Sequence, residues 1–124
     1  MKKLLIIIFA FCLFGCMSTP SEKDLATVDF GSKPVNYEEN IKNIIGAKLK
    51  DPFSAQYKFG NPRKGYRKGG LTFDIAYGWI VPVQVNAKNS FGGYVGFETL
   101  YFMISGELIE NVTYNYRYGD VVLL

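Results

Sequence analysis

Residues 71–86 read Leu71-Thr72-Phe73-Asp74-Ile75-Ala76-Tyr77-Gly78-Trp79-Ile80-Val81-Pro82-Val83-Gln84-Val85-Asn86, and their period decides the fold. Leu71, Phe73, Ile75 and Tyr77 alternate with Thr72, Asp74 and Ala76. Beyond Gly78, the residues Trp79, Val81, Val83 and Val85 alternate with Ile80, Pro82, Gln84 and Asn86. A period of two is the mark of a strand. The step from Tyr77 to Trp79 keeps one face, which puts Gly78 inside a single long strand. A hairpin at Gly78 is the alternative, although one glycine is short of the usual two-residue turn. Pro82 has no N–H to give a ladder, so an edge position or a bulge is expected there.

Upstream, the period is helical. Tyr37, Ile41, Ile44, Ile45 and Leu49 fall on one side, with Lys42 and Lys50 away from it. Asn36 with Glu39 three residues later suggests a capping box, and Glu38 and Glu39 suit the positive end of a helix dipole. Asp51-Pro52 ends the helix, because proline disfavours helical geometry in the residue before it. Ala55, Tyr57 and Phe59 then alternate with Gln56 and Lys58 as a short strand, and the glycine-rich, basic stretch 60–70 reads as a loop. Downstream, 88–93 is a turn region, Tyr94 to Ile104 is strand-forming, and Ser105-Gly106 reads as a hairpin turn into a strand from Leu108 to Thr113. Tyr114, Tyr116 and Tyr118 alternate as an extension of that strand or an aromatic tail. The order predicts an α+β fold: one N-terminal helix packed on a curved antiparallel sheet of about four to five strands, a single domain over 35–124.

The chain has 124 residues, 48% apolar, 16% aromatic and 20% charged, with no histidine and two cysteines. That excludes disordered, collagen-like and coiled-coil classes. A Ser-His-Asp triad and imidazole metal ligation are equally excluded. Lys2 and Lys3 precede an apolar run from Leu4 to Phe14, too short to span a bilayer but suited to a secretory signal over 1–15. Leu13-Phe14-Gly15-Cys16 resembles the lipobox of bacterial lipoproteins. The resemblance implies diacylglycerol on the Cys16 sulfur, cleavage before Cys16, and a bilayer as its partner. Met17 follows in place of aspartate, which in that class implies outer-membrane sorting if the envelope is Gram-negative. Residues 16–34 are polar and punctuated by Pro20, Gly31 and Pro34, and read as the lipidated cysteine and a tether, to which Val28 and Phe30 can add a short strand. Loss of Lys2 and Lys3 with the signal leaves charges nearly balanced, so no nucleic acid partner is expected.

Two segments stand out. Asp51-Pro52-Phe53-Ser54-Ala55 follows the helix, and Val85-Asn86-Ala87-Lys88-Asn89-Ser90-Phe91-Gly92-Gly93-Tyr94-Val95-Gly96-Phe97 lies between strands, with Gly78-Trp79 inside the long strand as a further mark. Over roughly 37–110 the chain resembles a group of small uncharacterised bacterial envelope proteins and lipoproteins with D-P-x-S-A and N-A-K-N-x-x-G-G-Y-x-G motifs. The resemblance implies a common fold and brings no activity, cofactor or catalytic residue. Asn86, Asn89 and Ser90 can bond backbone groups, Gly92 and Gly93 permit positive φ, and Lys88 projects beside Phe91 and Tyr94. The stretch is either a self-satisfied connection or a recognition loop for a polar or anionic partner. Arg63, Lys64, Arg67 and Lys68 around Tyr66 are a second candidate, for an anionic glycolipid or acidic protein. Asp74, Glu98, Glu107 and Glu110 supply carboxylates for a hydrolase only if strands bring two together. The expected function is a membrane-anchored, non-catalytic envelope adaptor, with no cofactor and no metal; a small carboxylate hydrolase and a glycolipid-binding protein are the alternatives.

Overall fold

The computed structural model describes residues 18–71 and 74–124. The lipobox with Cys16, and Thr72 and Phe73 of the expected strand, lie outside the described residues. The long strand is β3, Ala76–Asn86, with 11 residues. Gly78 sits inside it, as the unbroken face of Tyr77 and Trp79 requires. Leu71, expected at its start, is instead 93% exposed ahead of it. On one side of β3 lies β4, Glu98–Ser105, which turns through Gly106 (φ 62°) into β5, Leu108–Asn111. On the other side two short strands lie end to end. β1, Gln56–Phe59, pairs with Val83 to Asn86, and β2, Arg63–Arg67, pairs with Ala76 to Ile80. β6, Val121–Leu123, closes the outer edge of β2. Among the described residues this makes a six-stranded antiparallel open sheet, and the fold is α+β.

Pro82 is on the central strand, not at an outer edge, and it lies where three residues, 60–62, face two, 81 and 82, across the break between the flanking strands. In a strand, a residue's N–H and C=O point to the same side. Pro82 O accepts from Gly60 N at 2.8 Å, so its missing donor faces the break between β1 and β2. A local gap in an otherwise central position tolerates the imide.

The sheet is covered on both faces. α2, Glu38–Gly46, puts Ile41 and Ile45 against Val81, Val83, Val85, Phe102 and Ile104. Tyr37, Ile44 and Leu49 flank that core, as the helical period predicts. The opposite face packs Ile80, Met103, Val112 and Val121 under α3, Thr113–Arg117. The tyrosines read as strand or tail thus form a helix: Tyr116 stacks on Tyr101 at 3.6 Å between ring centroids, while Tyr114 and Tyr118 lie a turn apart on its outer side. That stack is non-local, and alternation alone could not reveal it.

Within the segment read as a tether there is one short helix among the described residues. α1, Glu22–Thr27, is opened by a reciprocal capping box in which Ser21 Oγ accepts from Asp24 N and Asp24 Oδ2 accepts from Ser21 N. The box expected at Asn36 and Glu39 does not form. Asn36 adopts φ 57°, and Tyr37 heads α2 with no side-chain cap. Asparagine tolerates this left-handed geometry better than most residues, and it turns the chain from the sheet into α2. Ahead of that turn, Phe30 sets its ring edge on Tyr77 at 5.9 Å, and Trp79 Nε1 donates to Phe30 O at 3.1 Å. Phe30 and Val28 form no strand.

Candidate functional site

The two motif segments meet at the end of the sheet where β3 stops and β1 and β4 start. Ser54 is the joint. Its Oγ donates to Asp51 O at 2.7 Å and accepts from Lys88 N at 2.9 Å. Its carbonyl accepts from Tyr94 Oη at 2.9 Å. Asp51 caps the short 3₁₀ turn Pro52–Ser54 by accepting from Ser54 N. Beyond Lys88, Asn89 Oδ1 accepts from Phe91 N and Gly93 N, and Asn86 Oδ1 accepts from Gly96 N. The amides therefore act on backbone, and the connection is largely self-satisfied. Positive φ belongs to Gly92 (78°) and Gly96 (103°) and not to Gly93, which corrects the pair expected from sequence.

The stiff tip holds apolar side chains in water. Phe53 and Phe91 are essentially fully exposed, Val95 is 72% exposed, and Tyr94 and Phe97 are partly so. Cations lie over two of the rings: Lys58 Nζ is 4.1 Å from the Phe97 centroid and Lys88 Nζ is 5.6 Å from that of Tyr94. Lys48, Lys50 and Lys88, with Glu98 as the one carboxylate, border a shallow cleft of about 230 Å³ beside Val95. Of these residues, Lys88, Phe91, Tyr94, Asn86 and Asn89 were legible from sequence. Phe53, Val95 and Phe97 lie in the motif segments; Val95 and Phe97 carry no binding signal by sequence, and neither do Lys48, Lys50 and Lys58. For Phe53 a signal existed, namely a large aromatic in the open position of a capped turn.

The other basic candidate is divided. Arg63, Lys64 and Arg67 lie on β2, not on a loop, and Lys68 follows directly. Strand alternation sends Arg63 and Arg67 to the α3 face and Lys64 to the α2 face. Arg63 donates to Leu124 O, Arg67 pairs with Glu110 at 3.4 Å, and Lys64 lies over the Phe30 and Trp79 rings. Four cations expected together on one loop are thus spread over two faces. The carboxylates are separated too. Glu98 opens β4 and pairs with Arg117 at 2.8 Å, Glu110 is held by Arg67, and Glu107 lies in the turn after β4. Among the described residues no group of three acidic or cysteine side chains is placed to hold a metal ion.

A wider groove of about 590 Å³ runs between 31–37 and the β4–β5 hairpin, floored by Trp79 and Ile104. Tyr37 on its wall has its phenol pushed up by burial and, secondarily, by Glu38. Burial, then the bond to Tyr116, raises the Tyr101 phenol likewise. Both phenols stay protonated at neutral pH and serve as packing and hydrogen-bonding groups. Among the described residues, no helix is long and apolar enough to cross a membrane. No protein family, curated protein or solved structure matches this chain.

Proposed function

We propose that this protein is a lipid-anchored component of a bacterial envelope, held by acylated Cys16, that works without catalysis as an adaptor for another envelope protein. The observation that carries the reading is the tip: Phe53, Phe91 and Val95 kept in solvent on a connection tied down by Ser54, Asn86 and Asn89. Exposed aromatics on a pre-ordered support suit binding, since little ordering entropy is lost on association. Lys48, Lys50 and Lys88 beside Val95, with Lys58 over Phe97, suit a partner with acidic residues flanking an apolar recess. The lipobox supplies the anchor in this reading. Division of the β2 cations weakens the glycolipid alternative, and separation of the carboxylates weakens the hydrolase.

Crosslinked capture from envelopes tests it, with the lipidated protein as bait. Phe53→Ser with Phe91→Ser should abolish the captured partner while leaving the melting temperature within a few degrees. Undiminished capture by the folded double variant would refute the tip as the binding surface. Cys16→Ser should leave unprocessed precursor and no lipid label; normal maturation would refute the anchor.

A further inference from the structure

The Asn86 end of β3 carries the tip, and its Ala76 end carries something different. There Ser18 pairs with Gly69 as an antiparallel bridge: Ser18 N donates to Gly69 O at 3.1 Å, and Gly69 N donates to Ser18 O at 3.0 Å. Gly69 is shaped for this contact, since a Cβ on it would collide with Ser18 Oγ and crowd Ile75 N. Ser18 is only two residues beyond Cys16, a span of at most about 7 Å. A lipid on Cys16 therefore holds Gly69 at the level of the headgroups. Beside Gly69 stand Lys68, whose N–H donates to Asp120 O, and Leu71, 93% exposed.

We infer that the domain stands on the bilayer by its Ser18–Gly69 end, with Leu71 entering the boundary between headgroups and acyl chains. This orientation rests on the acylation of Cys16 proposed above. Lys68 and Asp120 join here by their backbones, so both charge signs occur at this end and Leu71 is its exposed apolar side chain; the seat therefore works equally on zwitterionic lipid. The 11 residues of β3 then carry the Phe53–Phe91 tip about 33 Å outward, at roughly 3.3 Å per residue. The tip's partner is met away from the anchoring membrane, and that membrane is not itself the ligand.

The orientation is readable by fluorescence on the full-length lipidated protein in phosphatidylcholine vesicles with brominated acyl chains. With Cys16 acylated and Cys12 removed with the signal, one introduced thiol is the sole labelling site. An environment-sensitive dye on Leu71→Cys should be quenched about threefold or more beyond one on Ser90→Cys, given the ~33 Å between the ends. Ser18→Pro, which removes the donor to Gly69, should reduce quenching at position 71 with the acyl mass unchanged. Equal quenching at 71 and 90 on an acylated protein would overturn the orientation alone. A mature mass without acyl chains would overturn the anchor and the orientation together. Unchanged quenching in the Ser18→Pro variant would overturn the bridge as the element that seats the domain.

Discussion

Ser54 shows how little separates a structural residue from a site residue here. One hydroxyl and one carbonyl link the turn after α2 to both ends of the tip connection, through Lys88 N and Tyr94 Oη. Ser54→Ala leaves the Lys88 N–H without its acceptor, and loss of such a partner costs about 1–3 kcal/mol. Chemical denaturation should show that loss, and partner capture should weaken as the tip loosens; full stability would mean water replaces the hydroxyl. The glycines allow a sharper comparison. Gly92 lies at φ 78° with open space around it, so Gly92→Ala pays only for left-handed backbone, about 1–2 kcal/mol. Gly93 has ordinary φ and only Asn89 Oδ1 at 3.9 Å, so Gly93→Ala should be close to neutral. Equal losses at both positions would contradict the turn geometry. From sequence, the amide-and-glycine character of this connection was legible. Which glycine bears the strain was not, because that depends on how Asn89 folds its carbonyl back onto Phe91 and Gly93.

At the scale of elements, helix α2 was legible because its apolar period is strong and uninterrupted. Ile45, 4% exposed, touches the core of the sheet, whereas Lys42 reaches out over the Tyr57 and Phe59 rings, its Nζ 5.9 Å from each centroid. Ile45→Ala should cost about 2–5 kcal/mol, and Lys42→Ala less than about 1 kcal/mol. Thermal melts of the two variants check the assignment, and similar losses would mean that the wrong face has been placed against the sheet. Strand β2 was hidden for the opposite reason. Arg63-Lys64-Gly65-Tyr66-Arg67 looks like a loop because glycine weakens a strand locally. In the sheet, Gly65 faces Gly78, and a Cβ on Gly65 would press on Val122 O and Ile80. The glycine is required by neighbours remote in sequence, which no local pattern records. Helix α1 was legible in principle through Ser21 and Asp24. The bonds from Ser21 hold the Asp24 carboxyl below the usual aspartate range. A depressed native value makes the stabilisation present at neutral pH and lost as pH falls. α1 should therefore fray below about pH 4, seen as movement of the Ser21 and Asp24 amide resonances. Amides of α1 that stay fixed to pH 2 would contradict the capping box as its support.

At the scale of the molecule, the proposed anchor end and the proposed binding tip lie at opposite ends of β3, and the N-terminal segment decides how firmly they would be coupled. Sequence places the domain boundary at 35, yet Phe30 packs its edge on Tyr77 and its carbonyl takes the Trp79 indole proton. Gly31 O lies close enough to share that proton, at 3.3 Å. A chain shortened to begin at Val35 uncovers the α2 face of β3 beside Lys64 and removes the acceptor of the indole. Partial burial of one aromatic together with one hydrogen bond contributes about 1–2 kcal/mol. In a domain of this size each kilocalorie moves the melting temperature by roughly 4–8 °C, so the shortened chain should melt measurably earlier than one beginning at Ser18. Phe30→Ala in the longer chain should account for only the ring's share of the difference, because the backbone acceptor survives it while the ring contact does not. Trp79 fluorescence should shift to the red in the shortened chain as the indole meets water. If both chains melt together and Trp79 emission is unchanged, residues 18–34 rest on the sheet without stabilising it. The anchor and the tip would then be joined by a leash, not by one continuous body.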